Sequence, residues 1–450
     1  MCGDFGTFAI GFYIALALRK MTLPTGDDVT RHATLFFVTF ILWILVNYIN
    51  GLYDVGRITI RQHATRRLVQ SASASLVIGV IFFYVLPSRD ITPKTILLLT
   101  VICGYALSAL WRFVALKMLE TKRLTSRIVC VGYTSETQEL IDILTKEPER
   151  GYTIVGIVDT DHTVSSLPKG VDVTNSLDET YSFVLKHQPS LIVVAPHIRG
   201  NQEAMRALYQ LLFLPMHVVD LIAFYETVTG RIPPSVFSES WFLEHLKEKD
   251  HSMYEKWQVI VDCSVGVLLG VLFLVFLPLV AVVIKLTSPG PIFFKQQRVG
   301  KHGDVFTLYK FRSMYALSAD GSAETGGYQF ATKKDTRVTP VGRVLRRTRI
   351  DELPQVLNLF KRDMSVIGPR PERPEIVADL TKDMSYYPLR HIVRPGLTGW
   401  AVLHQHYADT HEKSLEKLQY DLYYIQHRSI ILDLSILLRT LNIVFRLMGQ

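Results

Sequence analysis

A run of arginines directly precedes two adjacent carboxylates in the last third of the chain. The carboxylates are Asp351 and Glu352, and the basic residues before them are Arg343, Arg346, Arg347 and Arg349. Positions 343, 346, 347 and 350 would share one face of a helix. Guanidinium groups bind phosphate oxygens bidentately and stay charged. This combination predicts a site for a phosphate-bearing ligand.

Asp351 and Glu352 are the candidates for the reacting groups. A carboxylate beside several arginines is expected to be ionised, and it can then act as a nucleophile or as a metal ligand. A Mg²⁺ ion held by Asp351 and Glu352 together with substrate phosphates would complete a phosphoryl-transfer centre. On the pattern alone, a solvated helix with ordinary ion pairs is an open alternative.

Further basic residues lie in alternating or rigid segments of the same region. Lys310 and Arg312 are two positions apart in a strand-like run, so both should point to one face. Arg370 lies between two prolines, and Arg394 opens a loop that contains two glycines. Each loop alone could be an ordinary turn. The residues predicted to bind phosphate groups are Lys310, Arg312, Arg346, Arg347, Arg370 and Arg394.

Other chemical motifs are missing from the sequence or too weak. It contains neither a G-x-x-x-x-G-K-[ST] phosphate loop nor a G-x-S-x-G nucleophile motif, so a P-loop ATPase and a serine hydrolase are unsupported. His404 and His406 form too weak a pattern to indicate a metal site. The four cysteines form no C-x-x-C pair, which argues against a disulfide framework and a zinc site.

The composition places these residues in a membrane protein with globular parts. The chain has 450 residues, enough for about three domains. Apolar residues make up 48% and charged residues 20%, and the mean hydropathy is +0.21. These values exclude disordered and collagen-like proteins. The net charge of +8 suits an anionic partner without selecting among lipid head groups, nucleotides and nucleic acids.

Four apolar stretches occupy the N-terminal part, at residues 5–18, 33–50, 68–86 and 95–116. The last three approach the ~20 residues that span a bilayer, whereas the first is short. We expect an integral segment from the start, with no cleavable signal peptide. Arginines in the second loop, including Arg57, and bases after the fourth stretch, including Lys122 and Arg123, place both segments in the cytoplasm. Buried helices of a soluble protein are the alternative.

Residues 126–230 show β-branched runs that alternate with helical patterns. This alternation predicts a parallel α/β sheet of the Rossmann type. A dinucleotide fingerprint would require G-x-G-x-x-G after the first strand, and only Gly132 is present. We therefore favour a structural or regulatory module over a cofactor-binding one.

Residues 265–284 form a second kind of membrane segment, with 20 positions that carry no charge. Pro278 lies inside it, where proline removes a backbone hydrogen bond and kinks a helix. Basic residues flank both ends, which favours a re-entrant helix kinked at Pro278 over a spanning one. Residues 430–447 read as an amphipathic helix at the membrane surface.

From about residue 255 to 450 the sequence closely resembles the bacterial sugar transferase family. These enzymes are monotopic polyprenyl-phosphate hexose-1-phosphate transferases that begin exopolysaccharide, capsule or O-antigen synthesis. The matching motifs lie at residues 288–298, 309–314, 335–338, 349–355, 364–371, 394–400 and 420–424. The sequence departs from the family pattern at Leu277, where serine often precedes the proline, and at Val402, where glutamine is usual.

The resemblance implies a reaction and roles for individual residues. Asp351 would attack the β-phosphate of a UDP-sugar, release UMP and form a covalent phosphosugar–aspartate. Undecaprenyl phosphate would then accept the phosphosugar, with glucose or galactose as the expected sugar. Glu352 would assist through magnesium binding or proton transfer. Lys310, Arg346 and Arg370 match basic positions around the phosphates.

The resemblance also implies the long architecture of the family. We expect a four-helix transmembrane bundle at residues 1–120, a degenerate Rossmann-like domain at 121–230 and a linker at 231–256. An α/β-type catalytic domain would occupy 257–450, with its re-entrant helix at about 257–287. The protein would lie in the bacterial inner membrane and face the cytoplasm, in contact with lipid but not with nucleic acid, and a homodimer is plausible. The alternative function is a non-catalytic membrane scaffold that recruits polysaccharide enzymes.

Overall fold

The computed structural model describes nine stretches of the chain, residues 1–53, 61–85, 94–120, 125–162, 170–211, 213–246, 252–323, 335–405 and 410–445. Arg57, Lys122, Arg123 and His406 from the sequence predictions lie outside them. The chain divides into two compact units, Met1–Val228 and Thr229–Gln450.

Long apolar helices open the first unit: α1 (Cys2–Lys20), α2 (Gly26–Ile49), α3 (Arg61–Val85) and α4 (Lys94–Glu120). In the described residues, the helical segments long and apolar enough to cross a bilayer are Gly26–Ile49, Thr65–Tyr84, Thr95–Ala115 and, in the second unit, Met253–Thr287. The protein is therefore a membrane protein. The short first stretch, residues 5–18 in α1, is not among these segments, so its prediction as a membrane span does not follow from length and composition.

Helix α1 packs closely along α4. An added Cβ on Gly11 would lie 2.6 Å from the backbone nitrogen of Gly104, so only glycine permits this approach. Asp4 is buried and accepts a 2.7 Å hydrogen bond from the Ser108 hydroxyl. Asp4 also forms an ion pair with Arg112 of α4. Polar contacts buried among apolar helices fix the register of α1 on α4.

The α/β module follows in the same unit. Its strands and helices alternate as β1 (Ser126–Val131), α5 (Ser135–Lys146), β2 (Tyr152–Val158), β3 (Asp172–Thr174), α6 (Thr180–His187), β4 (Leu191–Val194), α7 (Gln202–Leu211), β5 (His217–Asp220) and α8 (Leu221–Thr229). The sheet order is β3-β2-β1-β4-β5, and each neighbouring pair is parallel. The predicted parallel α/β sheet is confirmed.

Gly132 occupies the turn after β1 with a φ of +90°. A Cβ there would lie 2.7 Å from Ala195 Cβ and 2.8 Å from Ile198 Cγ1. The segment after β4 therefore fills the space beside this turn. The glycine is required by packing within the module.

The second unit is mainly helical. Its elements are α9 (Glu239–His245), α10 (Ser252–Thr287), β6 (Phe293–Val299), β7 (Val305–Phe311), α11 (Pro340–Thr348), α12 (Val356–Phe360), β8 (Ser365–Ile367), α13 (Pro374–Asp383), β9 (Gly396–Thr398), α14 (Trp400–His404), α15 (His411–Gln426) and α16 (Ile430–Phe445). Strands β6 and β7 pair antiparallel, and β8 pairs with β9 in parallel.

The segment 231–256, predicted as a linker, contributes to the core of the second unit. Ile232, Phe242 and Leu246 are buried in a cluster that also contains Tyr387. The indole N–H of Trp400 donates a 2.7 Å hydrogen bond to the carbonyl of Gly230. The charged residues of this segment predict a linker, and its described apolar residues pack into this core.

Helix α10 is one continuous helix of 36 residues with Pro278 inside it. In its first third, Asp262 Oδ1 accepts 2.8 Å hydrogen bonds from the Ser365 hydroxyl and the Val366 backbone N–H. Near its C-terminus, Ile284 is buried in a cluster with Phe311. The opposite face is apolar and open along the helix. Both ends of α10 therefore pack on the same unit, and re-entry into the bilayer stays a prediction.

Candidate active site

The carboxylate pair follows a helix that ends abruptly. Thr339 caps α11, because its hydroxyl accepts a 2.8 Å hydrogen bond from the Gly342 N–H. Arg349 has a φ of +60° and ends the helix, and a 3₁₀ turn from Ile350 to Gln355 then presents Asp351 and Glu352. The predicted continuous helical face from 343 to 350 is therefore wrong.

The four arginines form two pairs that differ in exposure. Arg343 and Arg347 are exposed, whereas Arg346 and Arg349 are partly buried and act on the charge of Asp351. The structure does not place Arg347 among the groups around the carboxylates, so its predicted contact with phosphate is not supported. Arg346 donates a 2.8 Å hydrogen bond from Nε to the Ser313 hydroxyl.

Glu352 is the centre of a cationic cluster. Its Oε1 lies 2.9 Å from Lys310 Nζ, 3.2 Å from Arg370 Nη2 and 3.7 Å from Arg349 Nη1. Burial opposes ionisation, but the charges of Lys310, Arg370 and Arg349 outweigh it and lower the pKa of Glu352 well below its usual range. Glu352 is therefore ionised and forms ion pairs with these three cations.

Asp351 has a different environment. The residue is 7% exposed, and its Oδ1 is buried without a hydrogen-bond partner. Burial, followed by the charge of Glu352, raises the pKa of Asp351 to about 6 against the pull of Lys310, Arg346 and Arg349. The arginines were expected to keep this group ionised, and burial instead outweighs them. The carboxyl group still loses its proton below neutral pH, and its Oδ1 has no hydrogen-bond partner.

Lys310 reaches Glu352 because β7 is fixed to α12 by one buried side chain. Asn358 is fully buried, and its amide donates a 2.7 Å hydrogen bond to the Thr307 carbonyl. Its Oδ1 accepts a 3.2 Å hydrogen bond from the Tyr309 N–H. The sequence analysis missed Asn358, because a lone asparagine in an apolar segment carries no signal of this bridge.

The two loops predicted to be rigid pack against each other. A Cβ on Gly368 would lie 2.3 Å from the Arg394 carbonyl oxygen, and one on Gly399 would lie 2.2 Å from the Gly368 carbonyl oxygen. The N–H of Gly368 donates a 2.9 Å hydrogen bond to the Thr398 carbonyl. This close backbone contact holds Arg370 at the edge of the carboxylate cluster.

Two other predicted phosphate-binding residues lie elsewhere. Arg312 is 2% exposed and donates hydrogen bonds to the carbonyls of Ser288 (2.8 Å) and Pro289. It therefore satisfies backbone groups just beyond the end of α10, and its assignment to substrate binding is corrected. Arg394 is partly buried and acts electrostatically on Asp262 of α10.

The site could hold a magnesium ion through a single protein ligand from Asp351, together with ligands from the substrate and water. Within the described stretches, no group of three or more His, Cys, Asp and Glu residues could enclose a metal ion. The unpartnered Oδ1 of Asp351 could supply one ligand, with substrate phosphates and water supplying the rest, as Mg²⁺ commonly requires.

His404 contacts the Trp400 carbonyl through Nδ1 at 2.9 Å and stacks on Tyr420.

Comparison with known proteins identifies the family of this chain. A family model described as "Bacterial sugar transferase" matches residues 253–447, and one described as "CoA-binding domain" matches residues 48–219. A UDP-glucose:undecaprenyl-phosphate glucose-1-phosphate transferase of Xanthomonas campestris pv. campestris is 30% identical over 343 residues, covering 72% of this chain and 67% of that protein. The chain belongs to the bacterial sugar transferase family.

Two further relatives extend the comparison. A UDP-N-acetylgalactosamine-undecaprenyl-phosphate N-acetylgalactosaminephosphotransferase of Aeromonas hydrophila is 39% identical over 248 residues, 55% of this chain and 56% of that protein. An undecaprenyl-phosphate glucose phosphotransferase of Komagataeibacter xylinus is 30% identical over 345 residues, 72% of this chain and 59% of that protein. The matched region thus spans between about half and two thirds of these relatives.

Proposed function

We propose that this protein transfers a hexose-1-phosphate from a UDP-sugar to undecaprenyl phosphate, releases UMP and so begins the assembly of a bacterial surface polysaccharide. The observation that carries the proposal is the division of roles between two adjacent carboxylates. Glu352 is bound by three cations, while Asp351 keeps a buried oxygen without a partner. Sugar phosphotransferases among the relatives support the same reaction.

The first step is attack of the Asp351 carboxylate on the β-phosphorus of the UDP-sugar. A new bond forms between a carboxylate oxygen and phosphorus. The bond between that phosphorus and the oxygen bridging to the α-phosphate breaks, and UMP leaves with the electron pair. Lys310, Arg346 and Arg370 surround the carboxylates and would stabilise the negative charge on the transferring group.

The second step returns the carboxylate to its starting form. A phosphate oxygen of undecaprenyl phosphate attacks the same phosphorus, and the bond to Asp351 breaks with the electron pair returning to the carboxylate. The product is an undecaprenyl diphosphate sugar. A covalent intermediate lets one basic site serve two bulky anionic substrates in turn.

A bound Mg²⁺ would neutralise phosphate charge during both steps. Asp351 Oδ1, which has no hydrogen-bond partner, would be its protein ligand, while Glu352 holds Lys310 and Arg370 in place. The role proposed for Glu352 is therefore mainly to position these cations, with any contact to the metal made through its second oxygen.

The orientation proposed for the catalytic unit is cytoplasmic, with α10 entering and leaving the bilayer from that side. Re-entry is supported because Asp262, in the first third of α10, and Ile284, near its C-terminus, both contact the same unit. A cysteine introduced at Lys285 should react with a membrane-impermeant thiol reagent only after the inner membrane is opened. Labelling of intact spheroplasts at this position would contradict re-entry.

The test of function is release of UMP from a panel of UDP-sugars by purified protein with undecaprenyl phosphate and Mg²⁺. Glucose and galactose are the expected donors, and N-acetylgalactosamine is included because one relative is named for it. Asp351→Asn should abolish release. Asp379→Asn, which changes an exposed carboxylate on α13, should leave it unchanged. No release with any sugar would favour the scaffold function.

A further inference from the structure

A second buried group of charges lies next to the loop that carries Arg370. Its members, here called the Glu372 network, are almost entirely withdrawn from solvent, with side-chain exposures between 1% and 18%. They are Arg298, Glu372, Arg390, Lys417 and Asp421. The residues come from β6, the segment before α13, a 3₁₀ turn and α15.

Two arginines are held firmly inside this network. Arg390 Nη2 lies 2.7 Å from Asp421 Oδ2, and Arg390 Nη1 lies 3.7 Å from Glu372 Oε1. Arg298 Nη1 lies 3.8 Å from the other oxygen of Glu372, and Lys417 forms an ion pair with the same carboxylate. Burial opposes ionisation of Glu372, but Lys417, Arg390 and Arg298 outweigh it and keep its pKa low.

Both arginines also bind the main chain beside the active site. Arg390 Nη2 donates a 3.0 Å hydrogen bond to the Arg370 carbonyl, and Arg298 Nη1 donates a 2.9 Å hydrogen bond to the Pro371 carbonyl. The two carbonyls are consecutive in the chain. The network therefore ends on the backbone from which the Arg370 side chain extends.

Backbone contacts hold the neighbouring carbonyls of the same loop. The Pro369 carbonyl accepts a 2.9 Å hydrogen bond from the Gly396 N–H, and the Glu372 carbonyl accepts one of 2.9 Å from the Val299 N–H. Together with Arg298 and Arg390, these contacts satisfy four consecutive carbonyls from separate parts of the unit. Each main-chain carbonyl from Pro369 to Glu372 therefore accepts a hydrogen bond, and these bonds hold the backbone on both sides of Arg370.

Stability alone does not account for such an arrangement. Several charges are desolvated here, and apolar residues of similar volume often stabilise a core as well or better. The Arg370 side chain, in contrast, is 38% exposed and approaches Glu352 from outside the core. A long, exposed side chain can be aimed accurately only if its backbone is held rigidly.

We propose that Arg298 and Arg390 are positioning residues for catalysis, which act through the Arg370 and Pro371 carbonyls to hold the Arg370 guanidinium beside the carboxylate pair. This inference rests on the proposed function. Arg298 and Arg390 contact Glu372 and the carbonyls of Pro371 and Arg370, and Arg390 also pairs with Asp421. Their effect on the reaction should therefore pass through Arg370.

The experiment is a double-mutant cycle on the full-length protein in nanodiscs, with UMP release and the thermal unfolding midpoint measured for each variant. Arg298→Gln should lower kcat/KM at least about tenfold in the otherwise wild-type enzyme, because small misplacements of binding groups are costly. In an Arg370→Ala background the same change should cost less than about twofold, since the group it positions is gone. The shift in unfolding midpoint should be equal in both backgrounds.

Control variants distinguish the positioning role from a folding defect and from failure of the proposed function. Lys382→Gln removes an exposed cation on α13 and should change neither quantity. If Arg298→Gln does not fold, Arg298→Lys keeps a charge beside Glu372 without the guanidinium fork and replaces it in the cycle. Equal losses of kcat/KM in both backgrounds would overturn the positioning role alone. A wild-type enzyme without UMP release would remove the proposed function together with this inference.

Discussion

The buried position of Asp351 predicts that its replacement by asparagine stabilises the protein while it abolishes transfer. Asparagine has nearly the same shape and carries no charge. In the folded protein, burial and the charge of Glu352 make the ionised form of Asp351 unfavourable. Removing that charge should therefore raise the free energy of unfolding, as expected where a catalytic group is held in an unfavourable environment.

The magnitude follows from the pKa of Asp351, which is raised from 3.8 to about 6. That difference corresponds to about 3 kcal/mol of stability, which we take as an upper limit for the gain. Because the folded pKa is raised, the cost of the charge is small below about pH 4 and grows as the pH rises towards 6. The stabilisation by Asp351→Asn should therefore be small at pH 4 and largest above pH 6.

The assay is thermal unfolding of both proteins in the same detergent, without substrate or Mg²⁺, between pH 4 and pH 8. The unfolding midpoint of Asp351→Asn should exceed that of the wild type at pH 7, and the two should converge towards pH 4. Asp379→Asn, on the exposed side of α13, should show no such trend. A midpoint for Asp351→Asn below that of the wild type at pH 7 would refute the reasoning.

Two further predictions concern activity. Because the reacting form of Asp351 is the carboxylate, kcat/KM for UMP release should fall about tenfold per pH unit below about pH 6, and a flat profile down to pH 5 would contradict that protonation state. Arg346→Gln should lower kcat/KM at least about tenfold, whereas Arg347→Gln, on the exposed face of α11, should leave it within about twofold. Steady-state UMP release measures both variants, and equal effects would contradict the different roles inferred for the partly buried Arg346 and the exposed Arg347.

Apolar length and strand composition were sufficient to predict the membrane helices and most of the α/β module. β2 coincides with one of the β-branched runs in residues 126–230, and the helix with Pro278 was predicted as a long apolar segment. The three-residue strand β3 was missed, because so short a run carries no periodic signal. Length and hydropathy report local chain properties, and local properties determine these elements.

The residue types of the candidate site were predicted from the sequence, but the directions of their side chains were not. Arg347 is exposed on α11, which ends at Arg349 with a positive φ, and nothing in the sequence marks a left-handed arginine. Arg312 continues the alternation from Lys310, yet the chain leaves β7 at Phe311, and Arg312 instead binds carbonyls beyond α10. Tertiary contacts of this kind decide side-chain direction, and a periodic pattern cannot supply them.

The most direct test of the account is mass spectrometry of enzyme mixed with UDP-sugar and Mg²⁺ in the absence of undecaprenyl phosphate and quenched within one turnover. We predict a phosphohexose on the peptide that contains Asp351, lost when undecaprenyl phosphate is added before quenching. Release of UMP without this adduct, or with the adduct on another residue, would contradict the proposal that Asp351 is the nucleophile.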